Sequence, residues 1–115
     1  MKIVSASGLM ACPKATIFSA WQPVISHGLY QLDQVVYFEG AAIDFWYRDL
    51  KPVPMDDDHT CDTEECHAQT RWGEHDISRW SAPSDDEYFA VYERDDLMGL
   101  NDCVTSALRA ARQSV

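Results

Sequence analysis

The sequence is poor in basic residues and has no long apolar run. Its 115 residues include 9 Lys and Arg against 19 Asp and Glu, which gives a net charge of -10 at pH 7. Such a chain has little basic surface with which to neutralise nucleic-acid phosphates or anionic lipids. No stretch approaches the roughly 20 apolar residues needed to span a bilayer. We therefore expect no nucleic-acid and no membrane partner, whereas a basic protein surface stays open as a partner.

Cysteine is also scarce. The chain has four cysteines, Cys12, Cys61, Cys66 and Cys103, too few and too irregularly spaced for the disulfide framework of a small secreted domain. The apolar run in "MKIVSASGLMACPK" is short and contains Ser and Gly, so we expect a strand or an extended N-terminus rather than a cleaved signal. With 46% hydrophobic residues, the chain predicts one soluble domain over 1–115, cytoplasmic unless a dedicated machine exports it, and without a cofactor.

Two β-rich stretches stand in the first half of the chain. "VISHGLYQLDQVVYF" predicts a hairpin over 24–38 with a short turn at 32–34. "AAIDFWYRDL" alternates with period two and predicts a third strand, which Pro52 and Pro54 end. The sequence therefore predicts an α+β fold in which a small antiparallel β-sheet packs against helices.

The segment "SAPSDDEYFAVYERDD" has signals for two structures. Ser84 followed by Glu87 forms a capping-box pattern with carboxylates in the first turn, which predicts a helix over the residues that follow. A strand is the alternative, since residues 88–92 are rich in aromatic and β-branched side chains and also alternate.

The most acidic stretch is "DDDHTCDTEECH", residues 56–67, which has almost no apolar side chain to place in a core. His59, Cys61, Cys66 and His67 are zinc-type ligands in number and kind. Four ligands crowded into one acidic loop leave little room for tetrahedral geometry, so we expect no bound metal and a solvated loop with free thiols. Bound zinc and a Cys61–Cys66 disulfide remain as alternatives.

The C-terminal stretch "GLNDCVTSALRAARQSV" predicts an amphipathic helix with Asn101 as its N-cap and Asp102 at its first position. Its apolar stripe comprises Val104, Ala107, Leu108 and Ala111. These boundaries place Cys103 in the first turn, where free backbone N–H groups and the helix dipole favour thiolate over thiol. Cys103 is therefore a candidate nucleophile, although packing is the commoner role for such a cysteine.

A thiol nucleophile needs a base, and His27 in "SHGLY" is the candidate. Gly28 beside it would leave room for a substrate. On the returning strand of the predicted hairpin, Tyr37 and Glu39 share one face, so either side chain would reach the imidazole and orient it. Without further support, a half-buried structural histidine is the commoner outcome.

The order "SHGLY…DQVVYFEG" followed late in the chain by "NDCVTSAL" resembles the circularly permuted papain-like thiol hydrolases. This group includes the lecithin:retinol acyltransferase-like proteins, the permuted NlpC/P60 peptidases and the PPPDE isopeptidases. The resemblance covers residues 24–43 and 97–111. The sequence departs from the pattern at Tyr37, where a second histidine is usual, and at "NDC", where an insertion separates the usual Asn-Cys pair.

The resemblance implies a permuted papain-like core and a defined chemistry. The Cys103 thiolate would attack a carbonyl carbon, with His27 as general base and Tyr37 or Glu39 as the third residue. The substrate would be a peptide or peptidoglycan-like molecule cleaved at an amide or isopeptide bond. Trp72 and Trp80 would either line the substrate groove or belong to the core.

The competing hypothesis is a non-catalytic acidic protein, such as an inhibitor or an immunity protein. Its net charge of -10 would favour a basic surface on a partner. This hypothesis predicts a buried, inert Cys103 that is remote from His27. The hydrolase predicts the Cys103 sulfur and an imidazole nitrogen within about 4 Å of each other.

Overall fold

A computed structural model describes residues 1–23, 25–51, 53–54, 70–71 and 77–113. The elements, in chain order, are β1 (Lys2–Ser5), α1 (Ala6–Met10), β2 (Ile17–Gln22), β3 (Ile25–Phe38), β4 (Ala41–Asp49), β5 (Val53–Pro54), β6 (Thr70–Arg71), β7 (Ile77–Arg79), β8 (Tyr88–Val91) and α2 (Arg94–Gln113). The described chain is α+β, as predicted.

The main sheet is antiparallel and has six strands in the order β1-β8-β2-β3-β4-β7, while β5 and β6 form a separate pair. Strand β3 is 14 residues long. Its first half pairs with β2 from Gln22↔Ile25 to Ile17↔Gln31, and its second half pairs with β4 from Tyr30↔Asp49 to Phe38↔Ala41. Strand β3 thus joins β2 on one side to β4 on the other, and the sheet curls around a single core.

The predicted hairpin over 24–38 is wrong, because Leu32, Asp33 and Gln34 do not form a turn. The register with β4 shifts between Leu32 and Gln34, so Asp33 is an extra residue in a bulge within continuous β3. The actual hairpin turn comes later, at Glu39 and Gly40, which have φ values of 51° and 80°. Two positive φ values in a two-residue connection are typical of a type I′ turn, whose twist matches that of the strands it joins.

The helix predicted after Ser84 is also wrong, and the alternative strand is confirmed as β8. One of the two capping-box contacts forms, since the Ser84 N–H donates to Glu87 Oε2 over 2.8 Å. The Glu87 N–H donates over 3.1 Å to the Ser84 carbonyl instead of to its hydroxyl. They close a turn instead of starting a helix. Phe89 and Ala90 are then buried on opposite faces of β8, between β1 and β2. Tertiary pairing outweighs the local helix signal.

The core is built from aromatic rings. Phe18, Phe45 and Phe89 come from three different strands, are fully buried, and meet edge to face with ring centroids 5.8–5.9 Å apart. Helix α1 covers one side of these rings with Leu9, which is also fully buried, and with Met10. The prediction that helices pack against the sheet therefore holds for α1.

Helix α2 differs in both its start and its burial. It begins at Arg94, and the residue before it, Glu93, acts as the cap: its N–H donates to Asp96 Oδ2 over 2.9 Å, and its carbonyl accepts from the Leu97 N–H over 3.0 Å. The predicted N-cap at Asn101 is therefore wrong, since seven helical residues precede it. None of the 20 residues of α2 is buried.

Candidate functional site

Cys103 lies in the middle of α2 with an exposed side chain. It is the tenth residue of a helix that begins at Arg94, so the free N–H groups of the first turn are more than two turns away. The argument that the helix start stabilises a Cys103 thiolate therefore fails. The thiol is accessible, which also contradicts the competing expectation of a buried Cys103.

His27 is exposed near the start of β3, opposite Ala20 of β2. Within the described part of the chain, no hydrogen bond or ion pair reaches its imidazole or joins it to Cys103. Tyr37 and Glu39 do not face it, because His27 and Tyr37 belong to the same strand. Ten strand residues span about 33 Å, so neither side chain can orient the imidazole as predicted.

Gly28 is required by the backbone conformation and by the neighbouring ring of Tyr30. Its φ of 74° is in the left-handed region, and a Cβ atom there would overlap the ring of Tyr30. Its carbonyl accepts a hydrogen bond of 2.6 Å from the hydroxyl of Ser19, a fully buried residue on β2. The glycine thus permits the β2–β3 register shift beside His27.

Several predicted site residues lie outside the described residues. These are the proposed ligands His59, Cys61, Cys66 and His67, and the groove candidate Trp72. Among the residues that the structure does describe, no three His, Cys, Asp or Glu side chains are grouped so that they would hold a metal ion.

Trp80 belongs to the core, which is one of the two roles left open for it. Its ring lies 5.3–5.4 Å from those of Phe45 and Phe89, which places it in the core. Its indole N–H donates to Glu87 Oε1 over 3.2 Å. One side of the ring also lines a shallow cavity of about 180 Å³ that Trp21 and Tyr88 share.

Trp21 and Tyr88 also belong to a feature that the sequence patterns did not indicate, a patch on the face of the sheet turned away from the aromatic core. We call it the outer-face patch, and its lining residues are Ile3, Trp21, Gln22, Pro23, Asp86 and Tyr88, around a concavity of about 480 Å³. Trp21 and Tyr88 are direct partners in the β2–β8 register. Ile3 lies diagonally from Tyr88, because its own partner on β8 is Ala90.

The outer-face patch combines exposed apolar surface with negative charge. Tyr88 is 49% exposed on β8, between β1 and β2, and Ile3 is 41% exposed on the edge strand β1. Asp86 at the rim is exposed, as is the neighbouring Asp85. Trp21 is half-buried, so the pair presents the Tyr88 ring and part of the indole beside a carboxylate, which is typical of a recognition surface. The period-two alternation in residues 88–92 could have indicated that Tyr88 lies on one face of a strand. The helix interpretation of this segment instead placed Tyr88 on the face of a helix.

The strongest electrostatic contact on this face is structural. Asp44 is almost fully buried, and its Oδ2 accepts from Arg79 Nε at 2.5 Å while its Oδ1 accepts from the Phe45 N–H at 2.8 Å. Burial would raise the pKa of Asp44, but these hydrogen bonds and one from the backbone of Ala82 outweigh it and hold the pKa below its ordinary value. The carboxylate therefore stays charged and joins β4 to β7.

Neither helix in the described part of the chain is long and apolar enough to cross a membrane. The chain matches no protein family model, no curated protein and no solved structure at a significant level.

Proposed function

We propose that this chain is a non-catalytic, acidic interaction protein that binds a basic, apolar-rimmed surface of a partner protein through the outer-face patch. The observation that carries the proposal is the cross-strand pair of half-buried Trp21 and exposed Tyr88, with Asp86 at its edge. An Arg or Lys side chain placed there would meet the ring faces with its cation and the carboxylate with its N–H groups.

The charge of the whole chain supports the same kind of partner. A net charge of -10 attracts a basic protein over long range and raises its rate of association. The aromatic pair supplies what charge alone does not, a fixed contact that excludes water and discriminates among cations. Trp, Tyr and Arg are also the residues that most often dominate binding free energy at protein interfaces.

The test is calorimetric titration of the full chain with three short peptides that alternate Gly with Arg, with Lys or with Glu. We expect the Arg peptide to bind best and the Glu peptide not to bind. Trp21→Thr and Tyr88→Thr, which keep strand propensity, should each weaken Arg-peptide binding about tenfold. Tyr37→Thr is the matched control, since Tyr37 is an exposed aromatic residue on another part of the sheet.

A second pair of variants separates the outer-face patch from general attraction between opposite charges. Asp86→Asn and Asp102→Asn each remove one exposed carboxylate, but only Asp86 lines the patch. We expect Asp86→Asn to weaken binding several-fold more than Asp102→Asn. Equal losses, or unchanged binding in Trp21→Thr, would refute the proposal.

The thiol hydrolase is the second candidate, and the exposed Cys103 thiol is the observation in its favour. It includes the finer fold prediction of a permuted papain-like core, with Cys103 as nucleophile, His27 as base and a peptide or peptidoglycan-like substrate. Its local premises, a helix that starts at Cys103 and a hairpin that brings Tyr37 or Glu39 to His27, are wrong. The function itself stays a prediction.

Alkylation of Cys103 by iodoacetamide tests the hydrolase directly. The measurement uses a chain in which Cys12, Cys61 and Cys66 are Ser. A catalytic pair requires a rate that is already high near pH 6 and that falls strongly in His27→Ala. A rate that rises with pH like that of a free thiol, and that is the same in His27→Ala, excludes the pair.

A further inference from the structure

Helix α2 presents an apolar stripe that nothing in the described part of the chain covers. At 3.6 residues per turn, one side of the helix carries Leu97, Leu100, Val104, Ala107, Leu108 and Ala111. Val104 is 58% exposed and Leu108 is 51% exposed. Leu100 is half-buried, and no residue of α2 is fully buried. A stripe of this length on such a helix is the pattern of a surface that packs against another helix.

The sequence of α2 is poorly suited to a helix that stands alone. In proteins, most of the stability of a helix comes from packing one apolar face and not from its intrinsic propensity. Gly99 and the β-branched residues Val104 and Thr105 in the middle of α2 lower its intrinsic helix propensity further. The helix therefore needs a partner for its stripe.

We propose that the partner is a second copy of this chain, whose α2 packs antiparallel to the first about a two-fold axis at Val104. In this arrangement Leu97 of one copy lies opposite Ala111 of the other, Leu100 lies opposite Leu108, and the two Val104 residues meet at the axis. Apolar side chains then meet along the contact, and at each end of it a large side chain meets a small one. A parallel pair would instead place Leu97 on Leu97 and Ala111 on Ala111.

Charge selects the same orientation. The start of α2 has a net negative charge, because Glu93, Asp95 and Asp96 outnumber Arg94 and the Met1 ammonium, which pairs with Asp96 Oδ2 at 2.9 Å. Arg109 and Arg112 lie near the end of the helix. Antiparallel packing brings the acidic end of one copy to the basic end of the other and opposes the two helix dipoles. Parallel packing would bring like charges together at both ends.

The expected contact is small. A helix of 20 residues is about 30 Å long, and two such helices bury on the order of 1,000 Å² together, near the lower limit for a specific interface. Each copy also carries a net charge of -10, which opposes association. We therefore expect a dimer that forms at micromolar concentration and becomes tighter when salt screens the repulsion.

Sedimentation equilibrium of the full chain, from micromolar to submillimolar concentration, measures this association. Leu108→Asp places a charge in the stripe and should raise the dimer dissociation constant more than tenfold. Ser106→Asp is the matched control, because it adds the same charge on the opposite side of α2 and should leave the constant within about threefold. A wild-type chain that stays monomeric throughout, or a dimer that Leu108→Asp does not weaken, overturns the proposal.

Cross-linking tests the orientation, again with Cys12, Cys61 and Cys66 changed to Ser. Cys103 flanks the two-fold axis, so two helices 8–10 Å apart hold the two Cys103 Cβ atoms about 10 Å from each other, within reach of a short bis-maleimide.

Moving the only thiol to the stripe, as Cys103→Ser with Ala111→Cys, separates the two thiols by about 20 Å along the antiparallel pair. We expect the first chain to cross-link and the second not to. Efficient cross-linking of the second chain would indicate parallel helices and overturn the proposal.

The outcome is independent of the proposed partner binding. Association of two acidic chains strengthens with salt, whereas binding of an Arg peptide to the outer-face patch weakens. Tyr88→Thr should affect only the peptide, and Leu108→Asp should affect only the dimer.

Discussion

The aromatic core and helix α2 are opposite in how they are stabilised. In the core, Phe18, Phe45 and Phe89 are fully buried and each contacts the other two. In α2, which is longer than any strand, no side chain is buried. The core thus carries its stability within one copy of the chain, whereas the described part of the chain buries no face of α2. Substitutions of the same kind should therefore have very different effects in the two regions.

The largest effect should come from the core. Phe18→Ala removes the ring that contacts both Phe45 and Phe89 and leaves a cavity that the strands cannot close. We expect the free energy of unfolding to fall by about 4 kcal/mol, measured by urea denaturation. A loss below about 1 kcal/mol would mean that the rings are not packed as described.

Gly28→Ala should have the next largest effect. Alanine at a φ of 74° is strained, and its Cβ would displace the ring of Tyr30 from the edge of the core. We expect a loss of about 3 kcal/mol in the free energy of unfolding. Gly99→Ala, in the open middle of α2, is the matched control and should be neutral or slightly stabilising.

Asp44→Asn should cost about 2 kcal/mol at neutral pH, since it weakens the hydrogen bonds to Arg79, which is partly exposed, and to the backbone. The loss should depend on pH. The folded pKa of Asp44 lies below its unfolded value, so the stabilisation is present above that unfolded value and is lost as pH falls through the folded pKa. Denaturation of the wild type and of Asp44→Asn should therefore converge below about pH 4. Asp102→Asn, which removes an exposed carboxylate, should show no such convergence.

The smallest effect should come from α2. Leu108→Ala, at protein concentrations below the dimer dissociation constant, should change the free energy of unfolding of the sheet by less than about 0.5 kcal/mol. The same denaturation should then be repeated at high protein concentration. Association should raise the free energy of unfolding of the wild type, and should raise that of Leu108→Ala by less.

Local sequence patterns predicted the strand content of residues 25–49 and misplaced the connection within it, while β2 and β7 were not predicted and β8 was predicted only as the alternative to a helix. The alternation in "AAIDFWYRDL" correctly predicted β4. The turn was misplaced because Leu32, Asp33 and Gln34 interrupt the apolar pattern as a turn does, and a bulge produces the same interruption. Glu39–Gly40 was overlooked since its first residue is not the Asn or Asp that usually precedes glycine in this turn.

The candidate site was predicted from local signals that the tertiary structure overrides. Asn101 and Asp102 have the composition of a helix start, but the earlier group around Glu93 and Asp96 forms the cap and extends the helix past them. The outer-face patch depends on residues far apart in the chain that only the register of three strands brings together. No pattern within one segment contains that information.

The position of β8 in the sheet has a consequence for synthesis and folding. This strand comes last among the eight, yet it pairs on one side with β1 and on the other with β2. While the chain leaves the ribosome, β2, β3 and β4 can pair as sequential neighbours, but β1 has no partner until residue 91 has emerged. Pairings this distant in sequence close slowly, so the nascent chain must keep the edge of β2 and the apolar residues of α1 from misassociating until the last strand inserts.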